Sequence, residues 1–250
     1  MEKKPGDTKA IGDTFHADHT YDLAPALGSM LVAREVPESG GDTVFVSMTK
    51  AYETLPPAVQ AQLETMRAVH SSRHAFGKQS KVKGQTSLYS NPEAATQDTV
   101  HPVVIRHPLS GRKSLYVNPG FTVCIEGQSP EESAPLLEAL YHHAVRPEHQ
   151  QRFSWEPGSA VLWDNRAVWH CAMNDYHGQH RLMHRITING PQLAAAAPDL
   201  PGSRAASGPP VDVFGADSPG GPAYVRLLRS TMAVGLTDEG SAAAFPEARL

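Results

Sequence analysis

The chain from residue 160 to residue 190 reads AVLWDNRAVWHCAMNDYHGQHRLMHRITING. Short runs of apolar and β-branched residues predict strands at its two ends, Ala160–Trp163 and Arg181–Gly190. Arg181 and Arg185 are four positions apart, so on a strand both side chains lie on one face. Arginines on an inward face are costly unless anions pair with them. The stretch therefore indicates a strand that presents two cations to anionic ligands, with a pair of solvated arginines as the alternative.

Outside this stretch the globular part predicts more short strands and only two helices. Apolar residues recur at helical spacing over Ala58–Val69 and Glu132–Ala144. Ser129-Pro130 is a plausible start for the second helix. Pro135 would be tolerable inside it if the helix began at Ser133, because Pro135 would then fall in the first turn, where no intrahelical amide bond is lost. Many short strands with few helices favour a β-sandwich or barrel core with helices outside it. The other predicted strands are Gly28–Val36, Thr43–Val46, Val103–Arg106 and Ser114–Val117, the last two joined by a turn over residues 107–111.

Composition divides the chain into a globular part, residues 1–190, and a tail, residues 191–250. A hydrophobic content of 40% over 250 residues suffices for one domain with a core. In the last sixty residues, 33 are Ala, Pro, Gly or Ser. Such a segment cannot bury enough apolar area to offset the entropy lost on ordering. We therefore predict a mostly flexible tail with one short helix over Tyr224–Val234.

Charge and hydropathy argue against several classes of protein. The formal net charge is -4 and no basic cluster marks a nucleic-acid surface. Neither a signal peptide nor an apolar run of about 18 residues is present. The two cysteines, Cys124 and Cys171, do not make a disulfide framework and fit a reducing compartment. We expect a cytoplasmic protein without nucleic-acid or membrane partners, and the sequence leaves homo-oligomerisation open.

His16-Ala17-Asp18 is a candidate metal motif. On a strand, residues i and i+2 share a face, so an imidazole and a carboxylate would lie side by side. A second histidine would complete a two-histidine-one-carboxylate triad, which leaves metal positions open for a chelating ligand and dioxygen. The motif alone is weak, because with 13 histidines about one such match arises by chance. A surface histidine beside a solvated aspartate is the alternative.

Several sequence blocks spread over residues 14–190 accompany this motif. They are FHADHT (15–20), VPESGGDT (36–43), HPVV (101–104), LYVN (115–118) with FT (121–122), WDNR (163–166), His170, NDY (174–176) and HRLMHR (180–185). In this order and spacing they resemble the family of taurine dioxygenase and 2,4-dichlorophenoxyacetate dioxygenase. The resemblance implies a double-stranded β-helix, or jelly-roll, core. It also implies an Fe(II)-dependent dioxygenase whose iron is held by His16, Asp18 and His170.

The resemblance implies roles for further residues. Arg181, eleven residues after His170, and Thr43 would bind the distal carboxylate of the co-substrate 2-oxoglutarate. A guanidinium suits this role, since its planar fork binds a carboxylate through two hydrogen bonds. Arg185 would face an anionic group of the primary substrate. We expect that substrate to be a small organic anion, such as taurine or another sulfonate, a sulfate ester or an aryloxyalkanoate, oxidised by dioxygen with release of succinate and carbon dioxide.

Other side chains near these motifs are expected to be structural. Trp163, seven residues before His170, should pack in the core near the metal. His142 and His143 lie on a predicted helix and should be solvated. The remaining histidines near the motifs should pack or form hydrogen bonds; they are His19, His101, His107, His177, His180 and His184.

One departure from the family concerns the N-terminus. Family members carry a substantial segment before the His-x-Asp motif, whereas here His16 lies near the first residue. We therefore expect a core that is incomplete at its N-terminus, whether as a natural short form, a start site assigned too late or a fragment. The substrate pocket would also be incomplete, so the identity of the substrate does not transfer from the family.

Two alternative functions remain open. A catalytically inactive jelly-roll remnant would bind an anion or a protein partner without turnover, and the short N-terminus favours it. A zinc hydrolase could use the same three ligands, but it would not explain Arg181 and Thr43 as a pair. Binding of 2-oxoglutarate that depends on Fe(II) would separate the dioxygenase from both.

Overall fold

The computed structural model describes residues 1–77 and 92–196, which form strands with few helices. The helices are α1 (Met48–Glu53), α2 (Pro57–Leu63), α3 (Ser72–Phe76) and α4 (Pro130–Ala144). The strands are β1 (Glu2–Lys3), β2 (Gly28–Glu35), β3 (Thr43–Ser47), β4 (Arg67–Ser71), β5 (Asp98–Pro102), β6 (Val104–Arg106), β7 (Lys113–Leu115), β8 (Thr122–Ile125), β9 (Gln150–Phe153), β10 (Ala160–Asp164), β11 (Val168–Ala172) and β12 (Arg181–Ile188). This confirms a mainly β chain with few helices.

Two sheets position the functional residues. The first has the strand order β1-β12-β2-β10, and the second has the order β11-β3-β9. All of their pairings are antiparallel. The strands β5-β4-β8 form a third sheet, and β6-β7 form the predicted hairpin, in which Gly111 adopts a positive φ of 69°.

The second sheet is covered on both faces, as the alternation of side chains along β3 shows. Val44 and Val46 belong to a cluster with the helices, in which Leu140 of α4 and Trp169 of β11 are fully buried. Phe45 lies between them on the opposite face. There it packs against an apolar cluster that contains Leu31, Ala33, Trp163 and Met183 of the first sheet together with Trp155, which follows β9. The space between the two sheets therefore lies next to an apolar layer.

The helix predicted over Ala58–Val69 is wrong in its second half. The structure ends α2 at Leu63 and places Arg67–Ser71 in strand β4. This strand pairs with β5 on one side and β8 on the other. Pairing on both edges satisfies the backbone polar groups of this segment and overrides its helical spacing.

The other long helix begins at its predicted start, Ser129-Pro130. Helix α4 begins at Pro130 rather than Ser133, because Ser129 and Glu132 form a reciprocal capping box. Pro135 therefore lies inside the helix. His142 is exposed, but His143 is buried, with its Nε2 2.9 Å from the carbonyl oxygen of Ala51. The expectation that His143 is solvated was therefore wrong.

The described chain continues past the predicted domain boundary at residue 190. Ala195 forms a β-bridge with Ile105, and Ala196 packs against the core. The rest of the predicted tail, including the proposed helix Tyr224–Val234, lies outside the described residues. Among the residues that the structure does describe, no helix combines the length and apolar character needed to cross a membrane.

A paired substitution tests the packing of α4. Leu140 is fully buried, whereas Leu162 on the outer face of the first sheet is 62% exposed. Leu140→Ala should lower the free energy of unfolding by about 2–5 kcal/mol, since it leaves a cavity. Leu162→Ala should change it by less than about 0.5 kcal/mol. Urea denaturation at 25 °C measures both, and equal losses would contradict this description of the core.

Candidate metal centre

A short β-bridge brings the His-x-Asp motif to strand β11. The amide of His16 donates to the carbonyl of His170 at 3.1 Å, and the amide of His170 donates back to His16 at 2.9 Å. The two imidazole rings consequently lie with their centroids 4.2 Å apart. Asp18, two residues beyond His16, turns its carboxylate towards both rings. The bridge thus assembles three side chains that are distant in sequence.

The spacing of these three side chains fits a single metal ion. Oδ1 of Asp18 is 3.5 Å from Nε2 of His16 and 3.8 Å from Nε2 of His170. One donor atom from each residue lies within 4.8 Å of the others. Donors that bind one ion at about 2.1 Å are roughly 3–4 Å apart. Two imidazoles and one carboxylate are also the donor set of non-haem iron sites.

Both imidazoles are suited to bind a cation. Nδ1 of His16 lies 2.7 Å from the carbonyl oxygen of Thr14, so Nδ1 carries the hydrogen and Nε2 keeps its lone pair. Burial, together with the neighbouring His16, lowers the pKa of His170 to about 3. His170 is therefore neutral at pH 7. Its ring is held by packing, with the Trp163 ring centroid 4.6 Å away.

Asp18 is almost fully buried and its two carboxylate oxygens have different partners. Oδ2 accepts a hydrogen bond of 2.7 Å from the hydroxyl of Ser29, which leaves Oδ1 facing the histidines. Burial alone would raise the pKa of Asp18, but His170, His16 and Arg185 more than offset this and hold it below its usual value. Of these three neighbours, only Arg185 is charged at every pH. Asp18 is thus an anion.

Ser29 is a residue that the sequence did not indicate. It lies on β2 opposite Trp163 of β10, on the face that carries Leu31 and points towards the second sheet. A single serine within a strand has no spacing signal. Only the packing of the two sheets shows that its hydroxyl orients Asp18.

The two arginines of β12 line the same pocket as the triad. Arg181, Arg185 and Thr43 all contribute to its wall together with His16, Asp18 and His170. Nε and Nη2 of Arg181 are buried without a hydrogen-bond partner among the described residues. Its guanidinium interacts with the phenol of Tyr176. Arg181 therefore has donors to spare for an anion.

Arg185 lies beside Asp18 of the candidate metal triad. Its Nη2 is 2.8 Å from Oδ1 of Asp18, an ion pair whose angles do not meet those of a hydrogen bond. Arg185 pairs across the sheet with Leu31 of β2. The structure thus places Arg185 within reach of both Asp18 and the open pocket.

Aromatic rings form another wall of this pocket. Tyr21, Phe76 and Phe121 pack edge to face, with ring centroids 5.0–5.9 Å apart. Phe121 also packs edge to face on His16. Asp18 is the only acidic side chain among the described residues that line the pocket. The wall suits the apolar body of an organic ligand.

Four of the other histidines near the motifs have partners within the protein, whereas His177 and His184 are exposed. His101 contacts the carbonyl of Asp22, His107 contacts Asp164, and His180 lies between Glu2 and Glu35. His19 contacts the carboxylate of Asp22 but also lines the pocket.

Comparison with known proteins gives the family. The profile of the family described as "Taurine catabolism dioxygenase TauD, TfdA family" matches residues 1–187. The chain belongs to this family. The resemblance inferred from the sequence blocks is thereby confirmed, and membership implies Fe(II) and 2-oxoglutarate as cofactor and co-substrate.

Two curated relatives show how far the similarity extends. An alkylsulfatase of Acinetobacter baylyi is 38% identical over 185 residues, which cover 72% of this chain and 58% of the relative. An alpha-ketoglutarate-dependent sulfate ester dioxygenase of Pseudomonas putida is 34% identical over 181 residues, or 71% of this chain and 60% of the relative. The chain thus spans about three fifths of the length of these curated relatives.

Solved structures of TauD/TfdA-like proteins share the fold. A taurine dioxygenase from Burkholderia xenovorans has a TM-score of 0.62 and 32% identity, over 78% of this chain and 62% of that one. AAD-2, solved with Mn(II) and N-oxalylglycine, has a TM-score of 0.62 and 30% identity, over 72% of this chain and 71% of that one.

Replacing the carboxylate tests the metal centre. Asp18→Asn keeps the shape of the side chain but removes the charge, so affinity for Fe(II) or Mn(II) should fall at least about a hundredfold. Asp22→Asn is the matched control, since Asp22 is partly exposed and contacts His19 rather than the triad. Anaerobic calorimetric titration measures both affinities. Unchanged binding by Asp18→Asn, or an equal loss in the control, would contradict the assignment.

Proposed function

We propose that the protein is an Fe(II)- and 2-oxoglutarate-dependent dioxygenase that hydroxylates a small anionic organic substrate. The observation that carries the proposal is one pocket lined by His16, Asp18, His170 and the two arginines of β12. In the overall reaction, substrate, 2-oxoglutarate and dioxygen give hydroxylated substrate, succinate and carbon dioxide. Bound iron would supply the activation of dioxygen and the oxidation of the substrate.

His16, Asp18 and His170 would hold the iron through two neutral nitrogens and one anionic oxygen. Ser29 and the carbonyl of Thr14 would orient the carboxylate and one imidazole through their hydrogen bonds. Such outer contacts set the direction of a ligand's lone pair and strengthen metal binding. The protein's part at the metal is therefore to fix three donors and leave the remaining positions to small ligands.

Arg181 and Thr43 would bind the distal carboxylate of 2-oxoglutarate. Both side chains are buried, at 6% and 1% exposure, so the interaction would be shielded from water. A buried guanidinium with unpaired N–H groups is costly, and a carboxylate would offset that cost by pairing with it. This is why the pocket favours a dicarboxylate co-substrate over a neutral one.

Arg185 would bind the anionic group of the primary substrate. Its guanidinium lies beside Asp18, so the substrate's anion would be held close to the metal. The rings of Tyr21, Phe76 and Phe121 would contact the organic body. Named relatives act on sulfate esters and (S)-phenoxypropionate, and both substrate types join an anion to an organic group. We infer a substrate of this kind.

We also infer that the sheets belong to a double-stranded β-helix core. Arg181 and Arg185 of the first sheet and Thr43 and His170 of the second sheet line one pocket, an arrangement that a jelly-roll core would produce. The likeness to solved structures of the family supports this inference.

The catalytic proposal is tested by reconstitution. Purified protein receives Fe(II) under anaerobic conditions, then 2-oxoglutarate, air and one of taurine, an alkyl sulfate or a phenoxypropionate. We expect Fe(II)-dependent binding of 2-oxoglutarate and substrate-dependent succinate, measured by chromatography. Binding of 2-oxoglutarate that does not depend on Fe(II) would favour an inactive anion-binding remnant. Cleavage of the sulfate ester with Zn(II) and without dioxygen would favour a hydrolase.

The two arginines should separate kinetically. Arg181→Ala should raise the Michaelis constant for 2-oxoglutarate about tenfold or more, where tenfold equals about 1.4 kcal/mol. Arg185→Ala should leave that constant nearly unchanged but lose substrate-dependent turnover, with slow uncoupled consumption of 2-oxoglutarate remaining. Each variant is the other's control. If both substitutions change only the Michaelis constant for 2-oxoglutarate, or if the best substrate is a cation, the role assigned to Arg185 is wrong.

A further inference from the structure

Trp155 lies directly behind the site assigned to the co-substrate. It follows strand β9 and is only 8% exposed. Its ring belongs to the apolar cluster between the two sheets, where Phe153 packs edge to face at 4.9 Å. Trp155 is not among the residues that line the pocket, whereas Thr43 and Arg181 are. It can therefore act on a ligand in the pocket through these two side chains, both of which it contacts.

The indole of Trp155 fixes the hydroxyl of Thr43. Its Nε1 donates a buried hydrogen bond of 3.0 Å to Oγ1 of Thr43. A hydroxyl has one hydrogen and two lone pairs, and an indole N–H can only donate. Because Oγ1 accepts from Trp155, the hydrogen of Thr43 is turned away from the indole and remains available to an acceptor. An anion in the pocket is such an acceptor.

The same ring supports the guanidinium of Arg181. The central carbon of the guanidinium lies 5.9 Å from the centroid of the Trp155 ring, within the range of a cation–π contact. Nε and Nη2 of Arg181 have no hydrogen-bond partner among the described residues. The ring therefore limits the orientations of a cation that polar partners do not fully fix. One side chain thus orients both groups that would meet the carboxylate.

We propose that Trp155 is a positioning residue for the distal carboxylate of 2-oxoglutarate, acting through Thr43 and Arg181. This inference rests on the proposed function. It separates binding of the co-substrate from binding of the metal, because Trp155 has no contact with His16, Asp18 or His170 among its described interactions. Loss of the indole N–H should lower the affinity for 2-oxoglutarate and leave the affinity for the metal unchanged.

The test is Trp155→Phe, with Trp169→Phe as the matched control. Trp169 is a buried tryptophan of the other core cluster, packed on Tyr141 and Phe15. Affinity is measured by anaerobic calorimetry, first for Mn(II) and then for 2-oxoglutarate in the presence of Mn(II). Trp155→Phe should raise the dissociation constant of 2-oxoglutarate about three- to tenfold with the Mn(II) affinity and the catalytic constant at saturation unchanged. Trp169→Phe should lower the melting temperature only.

A double-mutant cycle shows whether Trp155 acts through the hydroxyl. Thr43→Val removes this hydroxyl. In the Thr43→Val background, Trp155→Phe should lower the affinity for 2-oxoglutarate less than it does in the wild type, because only the contact between Trp155 and Arg181 remains to be lost. Should Trp155→Phe not fold, 3-benzothienylalanine at position 155 keeps the two-ring shape and removes only the N–H. Additive losses would overturn the role of the hydroxyl and reduce Trp155 to a structural residue.

The failures of the two proposals are distinguishable. Wild-type protein that does not bind 2-oxoglutarate with a bound metal overturns the proposed function and this inference with it. Wild-type protein that binds it, with Trp155→Phe and the benzothienyl variant binding equally well, overturns this inference alone. A parallel fall in Mn(II) affinity would also overturn it, since the effect would then be general.

Discussion

The pair of backbone hydrogen bonds between His16 and His170 is the contact on which the rest of the site depends. It joins a segment near the first residue to strand β11, so two imidazoles become neighbours although 154 positions separate them. The position of Asp18 depends on the same bridge, because the turn after His16 brings the Asp18 carboxylate against the hydroxyl of Ser29 on the first sheet. The candidate metal centre is thus assembled by the contacts of this segment with both sheets.

Buried charge determines what this space can accept. Arg181 and Arg185 face one carboxylate, Asp18, among the described residues that line the pocket. A low-dielectric pocket with more cations than anions is unfavourable until anions enter it. A divalent metal would add positive charge, so the complete site requires more than one anionic group. The proposed dicarboxylate co-substrate and anionic substrate would together meet that requirement.

Much of this site could be predicted from the sequence, because its residues sit at fixed spacings in several blocks. The even separation of Arg181 and Arg185 follows from strand periodicity. His16 and Asp18 do not share a strand as expected, because His16 lies at an isolated β-bridge and Asp18 in the turn after it. The roles proposed for all four residues come from the family resemblance. The residues that the sequence analysis did not identify contact partners that are distant from them in the sequence. Ser29 and Trp155 reach their partners only through sheet packing, and the helix predicted to Val69 yielded to pairing of β4 on both edges. Local patterns carry no signal for such contacts.

We propose that His16, Asp18 and His170 hold one metal ion beside an anion bound to Arg181. A crystal structure of the protein grown anaerobically with Mn(II) and N-oxalylglycine tests it most directly. We expect an ion coordinated by Nε2 of His16, Oδ1 of Asp18 and Nε2 of His170, with a carboxylate of the ligand on the Arg181 guanidinium. An ion bound elsewhere, or one that lacks any of these three donors, would contradict it.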